Sequence, residues 1–162
     1  MKTFRIYIWK DIKDDGMFKN IVKKNKKRLN DYLTVMIFDE YEEMYNKVDE
    51  IEKDCDNIEK NSRDYAGRTL ICRKQLYEDD KPEIWDYSKA QGFIFLRDGG
   101  KLTFNTVSHE VAHAVIGYMG AYFKNKLKLS SYDDNDKEKY ILYEELFCYI
   151  TGSLNNQIVV KV

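Results

Sequence analysis

The chain has 162 residues, a length that suits one domain whose core needs no disulfide staple. Its 27 Lys and Arg residues balance 28 Asp and Glu for a formal net charge of −1, which removes any global electrostatic case for a nucleic-acid or anionic-membrane partner. No window reaches the length of a membrane span, and Lys2, Arg5 and Lys10 interrupt the apolar start that a secretion signal needs, so the expectation is a cytoplasmic protein.

Phe4, Ile6 and Ile8 alternate with Arg5, Tyr7 and Trp9, the period-two pattern of a strand over Thr3 to Trp9 with one drier face. Asp14-Asp15-Gly16 ends it. Phe18, Ile21, Val22, Leu29 and Tyr32 then predict a helix over Met17 to Tyr32 that carries the basic run Lys23-Lys24-Asn25-Lys26-Lys27-Arg28. The run has no interleaved aromatic residues, and a solvated helix face is the preferred reading over phosphate contact. Leu33 to Phe38 is a short, branched, nearly continuous apolar run that suits a central strand buried on both faces. Tyr41, Met44, Val48 and Ile51 recur at helical spacing after Asp39, which predicts an amphipathic helix from Glu40 to about Lys53.

Asn61 to Gly67 is a polar loop, Arg68 to Tyr77 a third strand, and Glu78 to Lys89, with the single proline Pro82, a connecting loop. Gln91 to Arg97 is the fourth strand, stopped by Asp98-Gly99-Gly100. It leads directly into the most informative stretch of the chain, Thr106 to Tyr118, for which Thr103 or Asn105 is the candidate N-cap. A polar connection, Lys124 to Lys139, reads as a surface loop or lid, and a last helix runs from about Asp136 to Leu154 before a tail from Asn155. The cysteines Cys55, Cys72 and Cys148 are odd in number and at no metal-binding spacing, so they read as reduced thiols.

The chain contains two histidines, and both fall in His109-Glu110-Val111-Ala112-His113. On a helix His109 and His113 lie one turn apart on one face, so two imidazoles converge on one ion, while Glu110 is offset by about 100°. Zinc takes imidazole nitrogen readily, and a catalytic site pairs three protein ligands with an open position for water. A carboxylate beside that position takes a proton from the water and returns it to a leaving amine. The neighbouring residues are apolar, so the polar trio interrupts a core helix and needs partners.

A third ligand has to come from another element. Glu144 and Glu145 sit in an otherwise apolar run of the last helix, where a carboxylate is costly unless paired. Glu145 shares a stripe with Cys148, Tyr149 and Gly152, and the helix of the two histidines has a matching stripe of His109, His113 and Gly117. If the glycines let the two helices approach closely, Glu145 rather than Glu144 reaches the metal.

The two-histidine motif followed by Glu144-Glu145-Leu146-Phe147-Cys148-Tyr149-Ile150-Thr151-Gly152 resembles the small gluzincin metallopeptidases, including minimal forms encoded by phages and mobile elements of Gram-positive bacteria. The resemblance covers the last two helices and the preceding Gly-Phe-Ile-Phe-Leu strand. It implies a single zincin-like α/β (α+β) domain over residues 1–162, with about four strands in a mixed or antiparallel sheet. It further implies Zn2+ held by His109, His113 and Glu145, Glu110 as general base and acid, and the Gln91 to Leu96 strand as the substrate-binding edge. The oxyanion donor stays open among Tyr118, Tyr122, Tyr140, Tyr143 and Tyr149. The leading functional expectation is zinc-dependent hydrolysis of a peptide or protein substrate, with no membrane partner. A zinc-stabilised protein-binding module with little turnover is the alternative, and a nucleic-acid regulator built on the Lys23 to Arg28 run is the weakest reading.

Overall fold

The computed structural model describes residues 1–52, 66–71, 90–100, 102–122 and 134–162. Strands β1 (Lys2–Tyr7), β2 (Tyr32–Phe38), β3 (Gly67–Ile71) and β4 (Ala90–Arg97) form a four-stranded mixed sheet in the order β1-β2-β4-β3. β1 pairs antiparallel with β2, β2 parallel with β4, and β4 antiparallel with β3. Among the described residues the helices are α1 (Lys19–Lys24), α2 (Tyr41–Glu52), α3 (Phe104–Tyr122) and α4 (Asp134–Val159).

The continuous apolar run of β2 follows from its two covered faces. Leu33, Val35 and Ile37 join Ile94 and Leu96 of β4 under α3 and α4, where Val107, Val111, Val115, Leu146 and Ile150 complete the larger core. Tyr32, Met36 and Phe38 turn the other way with Phe93 and Phe95, and meet Met44, Val48 and Ile51 of α2. The sheet is thus the middle of three layers.

Several elements differ from the sequence expectation. The helix expected over Met17 to Tyr32 is a six-residue α1 between two 3-10 turns, Gly16–Phe18 and Lys26–Arg28. Asn25 ends it: its backbone leaves the helical region (φ −127, ψ 35), and its side-chain amide takes the Ile21 carbonyl at 2.8 Å. Such local side-chain bonds compete with helix propagation, and clustered lysines add repulsion along the run. The last helix extends to Val159 and absorbs most of the expected tail. It does so because Gln157 and Ile158 are buried, and the Gln157 amide bonds both the N–H (2.8 Å) and the C=O (2.9 Å) of Tyr7.

The strand expected to serve as the free edge, Gln91 to Leu96, is paired on both sides. Its residues Phe93 to Leu96 are all fully buried, as befits an interior strand, and the edge strand beside α3 is β3 instead. The far end expected for the third strand (72–77), the Pro82 loop, the polar connection as far as 133, and Cys55 and Cys72 lie outside the described residues. Cys148 is a free, exposed thiol. No described helix is long and apolar enough to cross a membrane.

Candidate metal centre

Thr103 starts the helix that carries the motif. Its hydroxyl accepts from the Thr106 N–H at 3.2 Å and its carbonyl from the Val107 N–H at 3.2 Å, which makes Thr103 rather than Asn105 the N-cap. Val107, Val111, Ala114, Val115 and Tyr118 bury one side of α3 against the sheet. The opposite side, with His109 and His113, is exposed.

The two imidazoles converge as the i, i+4 spacing requires. Their Nε2 atoms are 3.1 Å apart, with ring centroids at 4.7 Å and planes at 80°. In this state one ring donates to the other, but the separation has a second meaning. Two nitrogens bound to one tetrahedral zinc at about 2.05 Å stand roughly 3.3 Å apart, so the pair is spaced as ligands of one ion.

Glu110 points away from solvent toward β3 and is 6% exposed. The Thr69 hydroxyl donates to its Oε2 at 2.7 Å and lies 2.9 Å from its backbone carbonyl. A methyl group at Gly67 would come within 2.6 Å of Glu110 Cγ and 2.9 Å of Oε1, so the glycine is the space the carboxylate occupies. Neither residue stands out in the amino-acid order. Gly67 reads as the end of a polar loop and Thr69 as one residue of a strand, and only the packing of β3 on α3 shows their use.

Other candidates fare differently. Glu144 and Glu145 are exposed on α4, together with Cys148 and Tyr149. The two helices pack on one another, but not through the glycines expected to bring them close. Gly152 faces nothing within 4 Å, and a Cβ at Gly117 would strike Ile71 of β3 at 2.6 Å rather than α4. The stripe of Glu145 instead borders the N-terminal segment, where Tyr149 packs edge-on against Phe18 at 5.2 Å. Among the described residues no three His, Cys, Asp or Glu side chains gather closely enough to hold a metal. The spacing of the two imidazoles suits two donors to one ion, whereas among the described residues a third protein donor is not assembled with them.

Of the tyrosines, Tyr118 is buried and bonded to Trp9 and Asp31. Burial raises the Tyr143 phenol above its usual value, so it remains a protonated donor. The side chains of Tyr122 and Tyr140 lie outside the described residues.

The chain matches no protein-family model, and neither curated proteins nor solved structures yielded a match.

Proposed function

We propose that the protein is a zinc-dependent peptidase in which His109 and His113 hold the metal and Glu110 is the general base. The observation that carries this reading is the 3.1 Å approach of the two Nε2 atoms on the same helical turn as a buried carboxylate fixed by Thr69. Zinc held there would supply the Lewis acidity that makes water nucleophilic near neutral pH and polarises a peptide carbonyl. Glu110 accepts the water proton and delivers it to the departing amine. The third donor comes from the acidic pair on α4, and the resemblance assigns it to Glu145; a Glu side chain on an exposed helix face has the freedom to swing as the metal binds. The substrate backbone lies along β3, the sheet edge next to Glu110, since a strand that ends a sheet offers unpaired N–H and C=O groups to an extended peptide.

The exposure of both imidazoles and the separate position of the acidic pair also suit a second reading, a zinc-stabilised binding module without turnover. One experiment separates the two: measure zinc content and peptide cleavage for the wild type and for Glu110→Gln, Glu144→Gln and Glu145→Gln. The peptidase reading expects Glu110→Gln to keep zinc and lose cleavage by at least about a hundredfold, and Glu145→Gln to lose zinc. Zinc binding with no cleavage by the wild type across a broad peptide library favours the binding module. Failure of the wild type to retain zinc removes both.

A further inference from the structure

Charge in this chain is divided by position, although its total is close to zero. Residues 10–28 hold eight Lys and Arg against three Asp, while residues 39–52 hold seven Asp and Glu against one Lys. The first segment packs into the core under α3 and α4: Ile12 and Phe18 are fully buried there, Ile21, Val22 and Leu29 lie against it, and the Phe18 ring meets Tyr149 of α4. The second segment is α2 with the two residues before it, and Met44, Val48 and Ile51 pack into the core on the other side of the sheet. The sheet therefore stands between the two charge excesses, and they do not neutralise each other within one molecule.

Neighbours offset little of either excess. The seven lysines of residues 10–28 are all exposed, and none belongs to an ion pair among the described residues. Of the three aspartates beside them, Asp11 accepts from Ser153 and Asp15 from the Met17 N–H at 2.9 Å. On α2, Glu50 pairs with Lys47 at 3.1 Å, Glu52 pairs with Arg68 at 3.0 Å, and the Arg97 guanidinium lies over the Tyr41 ring at 5.4 Å. Asp39, Glu40, Glu42 and Glu43 are exposed and outside any ion pair among the described residues. Like charges gathered without counter-charges raise a potential over each surface and make a nearly neutral molecule a dipole.

We propose that these two surfaces dock on one another between copies of this chain, the lysines of residues 10–28 of one copy against the carboxylates at the start of α2 of the next. A surface of one charge alone fits many partners. What selects a second copy is that the chain itself presents the opposite charge, in nearly equal excess, on the far side of its sheet. Two different patches make a heterologous contact, which adds copies head to tail instead of closing a two-fold dimer. Exposed ion pairs contribute little each. The contact is therefore weak, with Kd on the order of 100 μM at low salt, and screening removes it once the Debye length falls to a few ångströms.

The test is sedimentation equilibrium of the intact protein from about 10 to about 500 μM, at about 20 mM and at about 0.5 M salt. It is repeated for Lys23→Glu/Lys24→Glu and for Glu42→Lys/Glu43→Lys, four exposed positions outside both cores. For the wild type at low salt the average mass is expected to rise with concentration beyond that of a dimer, and at high salt to stay at that of the monomer. Each variant has lost one surface and should remain monomeric. An equimolar mixture of the two should form a one-to-one dimer that grows no further, because each retains the surface that the other lacks. The proposal is overturned if the wild type stays monomeric at low salt, if its association survives high salt, if either variant associates like the wild type, or if the mixture does not dimerise. Titration with a single-stranded RNA oligonucleotide covers the other occupant: RNA bound by a wild type that stays monomeric overturns the proposal in favour of a nucleic acid.

Discussion

At the scale of single residues, the arrangement around Glu110 separates two properties that the motif combines. The helix delivers the carboxylate to the right height, but Thr69 and Gly67 of β3 determine which way it faces. Thr69 is a positioning residue if the site hydrolyses peptides. Thr69→Val keeps the shape and removes the donor, so kcat should fall by about tenfold with KM and zinc content unchanged, and Thr69→Ser should restore most of the loss. A purely structural role for Thr69 would lower the melting temperature without this split. Gly67→Ala places a methyl where the carboxylate now lies; kcat should drop further, with a stability cost of about 1–3 kcal/mol, measured by urea unfolding.

At the scale of elements, the packing of α3 on β3 gives the site its second wall. Gly117 allows the approach because Ile71 occupies the space a side chain would need. Gly117→Ala should destabilise the fold by about 1–3 kcal/mol. Ile71→Ala opens a cavity of its own, yet the double variant should be less destabilised than the sum of the two singles, since the deleted Cγ1 is the atom in conflict. Additive losses would mean that the two residues are not in contact. The shortened α1 illustrates the converse lesson. The apolar spacing of its segment is helical, but Asn25 and the surrounding lysines stop propagation, leaving Lys23, Lys24, Lys26 and Lys27 in solvent.

At the scale of the whole molecule, a buried polar chain ties three segments that are distant in sequence. Trp9 Nε1 donates to the Tyr118 hydroxyl at 3.0 Å, which donates to Asp31 at 2.8 Å, and Arg28 approaches the same carboxylate at 3.6 Å. The chain joins the end of β1, the entry to β2 and the helix carrying the imidazoles. Tyr118→Phe leaves a buried carboxylate short of a donor and the indole N–H short of an acceptor. It should lower the unfolding free energy by about 1–3 kcal/mol at unchanged m-value. A negligible change would show that water replaces the hydroxyl.

The helix that carries His109 and His113, the apolar β2 and β4, the amphipathic α2 and the mixture of helices with a four-stranded sheet were legible from the amino-acid order, because each rests on spacing within one segment. His109 and His113 converge for the same reason: four residues is one helical turn. Which strand ends the sheet, what Gly117 faces and which residues orient Glu110 depend on contacts between segments far apart in the chain. Local periodicity carries no information about such contacts, and only the tertiary packing of β3 on α3 and of α4 on β1 decided them.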